Sequence, residues 1–508
     1  MTSNIVIVPV LWQFLIAVAQ MFSWFNPRLQ RKLSVAGNVI QVLIASWLLT
    51  EVYRQGILTM NAGKWPAPFG IVFVSDTFSA VLVLITSISG LAVSLFSLAN
   101  IVEARMRFGY FPIMHLLFAG LNGAFLTGDI FNLYVWFEII IISSFVLLTI
   151  GGEKPQLEGA VKYFTLNILA STIFLTAIGV LYGLAGTLNM ADLALKVAAI
   201  PNKGLVEVTA ILFLVGFGIK SAIFPLYFWL PASYHTPPAA IAAIFGGLLT
   251  KLGVYAMLRV FTLVFFEDPI IDTLMIILAG LTIITGSLGA MVQTNVRKIF
   301  SYLIISHIGY MVIALGIHTE LAVTGAVFYM IHDIVVKTNL FMVSGLLYRV
   351  QGTHHIDRLG GFYQYYPRLS LLLAIPLFSL VGVPPLSGFW PKIDLFKAAY
   401  LEGGSFITIC LAFGTVITLL VIARVWAEVF WRPAENLPER PNFRFWHLFT
   451  LAEKIQYITP IALLSAVSLI IAFRAADVHR ISQKIASELM NPKNYIQTVL
   501  PDKSAEQQ

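Results

Sequence analysis

Apolar residues in this chain are grouped in long runs of about 18–25 residues, separated by short polar segments. A hydrocarbon core about 30 Å thick is crossed by about 20 residues of α-helix, so each run predicts one membrane-spanning helix. Fourteen such runs begin near residues 4, 33, 77, 109, 129, 159, 206, 238, 270, 298, 320, 369, 405 and 457. The segments between them are too short for a soluble domain. The pattern therefore predicts an all-α integral membrane protein with about 14 transmembrane helices.

Two of these runs are interrupted by proline and glycine, and each also carries a lysine. They are ILFLVGFGIKSAIFPLYFWLP (211–231), with Lys220, and LVGVPPLSGFWPKIDLFKAAY (380–400), with Lys392. Broken helices at membrane depth are tolerated only inside protein or beside a water-filled cavity. Two interrupted segments at corresponding positions point to an internal repeat with ion sites at the breaks. We therefore expect two inverted five-helix repeats, with broken helices 7 and 12.

The repeat hypothesis divides the chain into four parts. These are the N-terminal helices 1–3 (1–108), a first repeat of helices 4–8 (109–262), a second repeat of helices 9–13 (263–432), and helix 14 with the C-terminal tail (433–508). The tail after about residue 475 has mixed charge. Two interpretations of it stay open, an interfacial helix and a solvated tail.

Composition agrees with a membrane protein, because 58% of the 508 residues are hydrophobic and only 11% are charged. The net charge of +7 could suggest a nucleic-acid partner. Its distribution indicates topology instead: alternate short loops hold fifteen Lys and Arg residues, including Arg440 and Arg444, and the opposite loops hold four. By the positive-inside rule both termini lie outside the cytoplasm, and no nucleic-acid partner is expected.

Cofactor chemistry has little support in the sequence. The single cysteine, Cys410, excludes an internal disulfide, a thiolate-ligated iron–sulfur cluster and a Cys-x-x-Cys-His haem site. A phosphate-binding glycine loop followed by lysine is absent, so ATP hydrolysis is not the direct energy source. We expect neither a cofactor nor a resident metal. The adjacent His354 and His355 lie in a basic loop, where docking of helices is a better interpretation than metal binding.

Ionisable residues inside the apolar runs are the candidate chemistry. They are Glu138, Lys220, Lys251, His307, His332, Asp333, Lys337 and Lys392. Charges in hydrocarbon must pair, neutralise or contact water. Burial disfavours a charged lysine and a nearby carboxylate favours it again, so a lysine near a movable carboxylate is a switchable proton site. A row of such groups predicts a proton path across the protein.

Each of these residues also has a structural interpretation. Glu138 could simply neutralise Lys220, and a lone histidine on an apolar face is commonly a hydrogen-bonded core residue. Asp333 and Lys337 are spaced i, i+4 with the acid first, the favourable order for a static helix pair.

Two acidic residues outside this row have ordinary structural interpretations. Asp76 precedes a predicted helix in VSDTF, as a helix N-cap does. Asp394 and Lys397 are spaced as an ordinary exposed pair.

Five segments carry a resemblance to a known family. They are WFE, GFGIKSAIFPLYFWLPASYHTPPAAIAAIFGGLLTKLG, SYLIISHIGY, IHDIVVKTNLF and GVPPLSGFWPK. Over roughly residues 70–430 the chain resembles the antiporter-like subunit family shared by respiratory complex I, membrane-bound hydrogenases and Mrp-type cation/proton antiporters. The resemblance implies a Glu138–Lys220 pair on helices 5 and 7, a central Lys251 on helix 8, and a terminal Lys392 on broken helix 12. Within this family, the length of the chain and the lysine at position 392 most resemble the subunits of the Mrp-type branch.

The resemblance also implies a function, that of a proton-translocating subunit in a multisubunit sodium/proton antiporter of the bacterial cell membrane. The expected relay comprises Glu138, Lys220, Lys251, His307, His332, Lys337 and Lys392. The expected partners are MrpA, MrpB, MrpC, MrpE, MrpF and MrpG, the lipid bilayer, and transported H⁺ and Na⁺. The chain would then be a transporter subunit and not an enzyme.

Two alternatives stay open at this point, and a third is disfavoured. A proton-pumping subunit of complex I or of a membrane-bound hydrogenase would have the same motifs. A scaffold subunit would need no titrating lysines, and a lipid-linked sugar transferase would need larger extramembrane segments than this chain offers.

Overall fold

A computed structural model of the chain describes residues 3–266, 268–434, 446 and 449–501. These residues form fourteen apolar helices, α1–α14, at the predicted places. Their bounds are α1 Val8–Phe22, α2 Pro27–Gln55, α3 Thr77–Asn100, α4 Tyr110–Leu126, α5 Ile130–Thr149, α6 Lys154–Ala185, α7 Lys203–Ser221 and Trp229–Ser233, α8 Ala239–Leu263, α9 Pro269–Val292, α10 Val296–Ile317, α11 Glu320–Gln351, α12 Pro367–Val381 and Phe389–Ala398, α13 Gly404–Trp426, and α14 Leu451–Phe473. Shorter helices in the connections include Glu103–Arg107, Met190–Ala199 and Phe362–Tyr365.

Twelve candidate spans are long and apolar enough to cross a membrane. Two shorter apolar helices, α4 and the first half of α12, bring the number to the fourteen predicted spans. The predicted multi-pass membrane protein is therefore confirmed. Arg440 and Arg444, which contribute to the predicted charge asymmetry, lie outside the described residues.

Helices α7 and α12 are broken in the same way. Each first half ends on a residue with left-handed backbone, Ala222 (φ 62°) in α7 and Gly382 (φ 84°) in α12. The helices resume at Trp229 and at Phe389. The two breaks are 160 residues apart at both points (382 minus 222; 389 minus 229). The prediction of two matching broken helices is confirmed.

The helices before each break also repeat. Both α6 and α11 have 32 residues. Asp129 and Asn295 cap α5 and α10, and each forms an isolated β-bridge, to Asn189 and to His355 respectively. The spacing is 166 residues for both partners of the bridge (295 minus 129; 355 minus 189). Because each repeat crosses the membrane five times, an odd number, the second repeat starts on the opposite side and the two are inverted.

A small β-hairpin between α2 and α3 departs from the all-helical expectation. Strand β1, Leu58–Asn61, pairs antiparallel with β2, Val72–Ser75. Each strand has only four residues, so neither produced an apolar run that a membrane-helix pattern could detect. The hairpin leads directly into Asp76, which caps α3 as predicted by accepting from the Ser79 amide at 2.9 Å.

The C-terminal tail is helical and docked on the protein, so the solvated-tail interpretation does not describe it. It forms α15, Ala475–Met490, and α16, Lys493–Val499. His479 Nδ1 of α15 lies 3.0 Å from Asp394 Oδ2, so Asp394 pairs with the tail and not with Lys397 as its spacing suggested. At the other end of α15, the Thr77 hydroxyl donates to Glu488 Oε1 at 2.8 Å. The tail therefore connects the second half of α12 to the start of α3.

Candidate functional site

Lys220 lies at the end of the first half of α7, two residues before the left-handed Ala222. Its side chain is buried, with 4% exposed, and Nζ donates to Ser171 Oγ of α6 at 3.0 Å. The ammonium also lies 4.7 Å from the centre of the Phe137 ring of α5. The break ends the helix at this lysine, so its head group sits among three helices instead of being covered by a further turn.

The Glu138 carboxylate is not in direct contact with Lys220. Glu138 is half-buried, and one of its oxygens, Oε1, is buried without a hydrogen-bond partner. Among the described residues, no Lys, Arg or His nitrogen lies within 4.0 Å of its carboxylate. Glu138 follows Phe137, which does contact Lys220. The two residues therefore share one region, but the pair implied by the resemblance is not formed in this structure.

A small cavity of about 20 Å³ adjoins Lys220 on the side of α8. Its lining includes Asn167, Tyr234, Leu249 and Leu252, and the last two flank Lys251 in sequence. A single water molecule needs about 10–15 Å³ of such space and two to four polar partners. The cavity can therefore hold one water between the region of Lys220 and the helix that carries Lys251.

Lys251, Asp333 and His307 form a buried cluster at the centre of the protein. Lys251 Nζ lies 2.7 Å from Asp333 Oδ2, and His307 Nδ1 lies 3.2 Å from Asp333 Oδ1. All three side chains are essentially unexposed. Lys251 Nζ also donates to the carbonyl of Gly246 at 2.8 Å. One carboxylate thus joins groups from three helices, α8, α10 and α11.

Close packing of α8 on α11 makes this cluster possible. A Cβ atom on Gly246 would lie 2.4 Å from the Phe341 ring, and one on Gly247 would lie 1.9 Å from the Thr338 hydroxyl. Small residues let membrane helices approach closely, so side chains of moderate length can meet across the interface. Residues Phe245–Leu249 also form a π-helical turn just before Lys251. Such turns often occur at functional sites, because they change the direction of the following side chains.

His332 starts a chain of hydrogen bonds that leads away from the cluster. Its Nδ1 lies 2.9 Å from Ser387 Oγ, in the break of α12. Ser387 Oγ lies 2.8 Å from Ser468 Oγ of α14, which in turn lies 3.2 Å from Ser379 Oγ. All four side chains are buried. The second predicted relay histidine is therefore oriented by hydroxyl groups and has no carboxylate partner among the described residues.

Lys392 lies in the second half of α12, beyond the break. It is 5% exposed, and Nζ donates to the carbonyl of Val381 at 2.7 Å, at the end of the first half-helix. The partial negative charge at a helix C-terminus favours an ammonium at this point. The same nitrogen lies 5.4 Å from the centre of the Tyr310 ring, one turn along α10 from His307. Lys220 thus precedes its break whereas Lys392 follows its own.

Lys337 is fully buried one turn after Asp333 on α11. Its Nζ has no hydrogen-bond partner, and the expected i, i+4 pair with Asp333 is not formed in the described part of the chain. Asp333 instead pairs across helices. The static-pair interpretation of Asp333 and Lys337 therefore does not describe this structure.

The balance of charge in this region is uneven. In the described residues of α8–α13, Asp333 is the only fully buried carboxylate, whereas Lys251, Lys337 and Lys392 are three buried lysines. A buried charge without a partner is costly, so one carboxylate cannot stabilise three ammonium groups at the same time. The arrangement therefore suits lysines that are protonated alternately and not all at the same time. In the described ranges, no group of three His, Cys, Asp or Glu side chains is placed to hold a metal ion.

Reasoning from the sequence missed the central role of Asp333, together with Ser171, Ser387 and Ser468. For Asp333 and Ser171, the internal repeat contained a signal in the sequence. Residues 167 and 333, and residues 171 and 337, are each separated by 166, the spacing of the paired β-bridges. Asn167 and Ser171 near Lys220 thus correspond to Asp333 and Lys337 in the second half. Comparison of the halves would have marked these positions.

The chain is similar to proteins of known family. Residues 127–418 match the family model described as NADH:quinone oxidoreductase/Mrp antiporter, TM. A protein of Alkalihalophilus pseudofirmus, named as the D subunit of a Na(+)/H(+) antiporter, is 41% identical over 98% of this chain and 100% of that protein.

Two solved structures share the fold over nearly their whole length. A chain of the Mrp complex from Dietzia sp. DQ12-45-1b is 26% identical, with a TM-score of 0.87, over 98% of this chain and 100% of that chain. A chain of the membrane-bound sulfane sulfur reductase, an archaeal respiratory membrane complex, is 28% identical, with a TM-score of 0.88, over 98% and 99%.

Proposed function

The chain belongs to the NADH:quinone oxidoreductase/Mrp antiporter family, and we propose that it is MrpD, the proton-translocating D subunit of a multisubunit sodium/proton antiporter. The relative named as the D subunit of a Na(+)/H(+) antiporter matches over its full length, which supports this choice within the family. The length and the motifs around Lys220, Lys251 and Lys392 point to the same subunit. The chain is thus a transporter subunit that works inside a membrane complex.

The buried Lys251–Asp333–His307 cluster is the observation that carries the proton-transfer part of the proposal. A lysine beside a carboxylate holds its proton, and it releases the proton when the carboxylate is engaged elsewhere. Asp333 has two such partners, Lys251 on Oδ2 and His307 on Oδ1. A change in which partner it favours would move a proton between α8 and α10.

The proposed path runs from the region of Glu138 and Lys220, through the water-sized cavity, to Lys251. From there it passes Asp333 and His307 and reaches Lys392 at the break of α12. The Tyr310 ring belongs to the same helix as His307, and its centre lies 5.4 Å from Lys392 Nζ, so this ring adjoins the last step of the path. Because these groups are buried, bulk water does not reach them. Protons would therefore move only between these side chains and single water molecules in the cavities beside them.

Lys337 and His332 have secondary roles in this proposal. Lys337 is buried close to Asp333 and has no hydrogen-bond partner among the described residues, so it can compete for that carboxylate when Lys251 is neutral. His332 connects the path to the hydroxyl groups of Ser387 and Ser468, which can reorient and pass a proton. We include both residues in the relay with Glu138, Lys220, Lys251, His307 and Lys392.

We further propose the setting of the subunit. The charge asymmetry of the loops supports a bacterial plasma membrane topology with both termini outside the cytoplasm. The repeat spacing supports division into 1–108, 109–262, 263–432 and 433–508. The partners would be MrpA, MrpB, MrpC, MrpE, MrpF and MrpG, and the exchanged cation would be Na⁺.

A proton pump driven by a redox partner is the second candidate. Its support is the similarity to a chain of the sulfane sulfur reductase complex, at 28% identity. The identity of the proteins that co-purify in mild detergent separates the candidates. Small antiporter subunits would support the antiporter, and iron–sulfur or quinone-binding proteins would support the pump.

Reconstitution tests the main proposal. The described residues carry a proton path without an evident cation path, so the purified chain alone should show little Na⁺-dependent H⁺ exchange in liposomes. The complete complex, at the same amount of this chain, should show robust exchange. Full activity of the single chain would contradict the assignment to a multisubunit antiporter, and an inactive complex would contradict antiport itself.

A further inference from the structure

A second polar cavity, of about 410 Å³, lies at the end of the helices where the loops are rich in Lys and Arg. It is enclosed by the last turns of α3 and α11 and by the starts of α6, α8 and α10. Its lining includes three arginines, Arg105, Arg297 and Arg349, and one carboxylate, Glu153. None of these residues belongs to the proposed relay, and the cavity has no role in the mechanism above.

Arg297 is the buried part of this site, with 6% of its surface exposed. Its Nη1 donates to the Pro237 carbonyl at 2.8 Å and its Nε to Ser344 Oγ at 3.2 Å. Neither partner is charged, and Nη2 makes no hydrogen bond within the part of the chain that the structure describes. A guanidinium is therefore held rigidly at the cavity wall with donors to spare and no carboxylate.

The other two arginines differ in their partners. Arg105 Nη2 lies 2.9 Å from Glu153 Oε1, so its charge is balanced. The Arg349 guanidinium stacks on the Phe449 ring at 4.7 Å, and no described carboxylate lies within 4.0 Å of it. Arg297 and Arg349 thus form no ion pair among the described residues, although Glu453 lies near enough to Arg349 for a longer-range attraction. The Arg349 guanidinium can offer the paired donor geometry that suits a phosphate, and Arg297 adds the N–H groups of its free Nη2.

Two neutral histidines and a helix end line the same wall. His235 Nδ1 donates to the Pro231 carbonyl at 2.7 Å, so of the two rings only His354 has an N–H to spare. Burial, and then the charge of Lys298, lowers the pKa of His235 to about 4. Burial and the nearby Arg297 hold the pKa of His354 well below its usual range, so both rings are neutral at pH 7. Ala239, the first residue of α8, also lines the cavity. The Ala240 amide already donates to Asn100 Oδ1 at 3.1 Å, and the remaining amides of this helix N-terminus favour an anion.

We propose that this cavity binds a phosphate group, presented by the headgroup of an anionic phospholipid or by free phosphate. Basic pockets between membrane helices on the side with most Lys and Arg are suited to anionic headgroups. A role as a cation entrance is disfavoured, because two arginines without an ion pair among the described residues repel Na⁺ and H₃O⁺. The bound anion would stabilise the packing of α3, α6 and α11 around the start of α8.

The test uses the complete complex, delipidated in mild detergent. Native mass spectrometry and thermal unfolding are followed during titration with phosphatidylglycerol, with phosphatidylcholine, and with potassium phosphate against potassium chloride of equal ionic strength. The variants are Arg349→Gln and Arg349→Lys. Arg349 is exposed, so neither change should prevent folding. Arg107→Gln is the matched control, because Arg107 lies in the same short connecting helix as Arg105 but outside the cavity.

We expect phosphatidylglycerol or phosphate to bind and to raise the unfolding temperature, and phosphatidylcholine to do so much less. Arg349→Gln should weaken that binding about tenfold, the loss of one charge-assisted contact. Arg349→Lys should recover part of it, and Arg107→Gln should match the wild type. A response to phosphatidylglycerol alone identifies the lipid as the source, and a response to both identifies the phosphate. Equal binding by Arg349→Gln and wild type overturns the proposal.

Discussion

Replacement of Asp333 by asparagine is the most direct perturbation of the proposed relay. The change keeps the size of the side chain and removes its charge. Lys251, 2.7 Å away and unexposed, then has only neutral oxygens, such as the Gly246 carbonyl, for its ammonium. His307 loses its contact with a carboxylate at the same time. The variant therefore removes the one group that joins α8, α10 and α11.

The size of the effect follows from burial of the pair. Loss of one partner from a buried ion pair costs about 3–5 kcal/mol. At about 1.36 kcal/mol for each factor of ten, this lowers the proton affinity of Lys251 by roughly two to nearly four orders of magnitude. Because each transport cycle needs a proton on Lys251, we expect exchange to fall by at least about 100-fold.

Everted membrane vesicles provide the assay, in a strain without native antiporters that expresses the whole complex. Na⁺-induced recovery of a ΔpH-sensitive dye reports exchange, and affinity capture of a partner subunit reports assembly. Asp272→Asn is the matched control, because Asp272 also pairs with a histidine, His318 at 3.5 Å, near the end of α10. The control should stay within twofold of the wild type. Asp333→Asn that assembles normally and keeps half of the wild-type exchange would refute the relay through Asp333.

The same vesicles test three further expectations. Lys220→Ala and Glu138→Ala should each abolish exchange while the complex still assembles, and wild-type exchange by either would remove that residue from the path. Lys251→Arg should be nearly as damaging as Lys251→Ala, because a guanidinium does not release its proton; clear rescue by arginine would favour a scaffold. Ser468→Ala should slow exchange about threefold to tenfold and shift its pH profile, because Ser387, which orients His332, loses its partner hydroxyl. Ser465→Ala, one turn away and bonded to Asn339, is its control.

Much of the fold could be predicted from sequence because the signals are local. The length of an apolar run sets a membrane helix, and proline with glycine marks a break within it. Both broken helices and all fourteen spans of the described residues follow from these two rules. The hairpin Leu58–Asn61 and Val72–Ser75 was missed, because four-residue strands leave no comparable signal.

The partners of the buried charges could not be predicted in the same way. Local spacing offered Lys337 as the partner of Asp333, whereas close packing of α8 on α11 gives Asp333 a better one in Lys251. The resemblance implied Glu138 as the partner of Lys220, whereas in the structure Lys220 Nζ donates to Ser171 Oγ. Distances between helices decide such contacts, and no local pattern encodes them.

The central ion pair has a position that bears on how the two repeats cooperate. Lys251 belongs to α8, the last helix of the first repeat, and Asp333 belongs to α11, the middle helix of the second. In the first repeat the positions equivalent to Asp333 and Lys337 are Asn167 and Ser171, which carry no charge. Among the described residues, neither Lys220 nor Lys251 therefore has a carboxylate of its own repeat within 4.0 Å. The carboxylate that pairs with Lys251, that of Asp333, belongs to the other repeat. On the proposed relay, a proton that crosses from one repeat to the other must alter this pair, so the formation and release of the pair would couple the two halves.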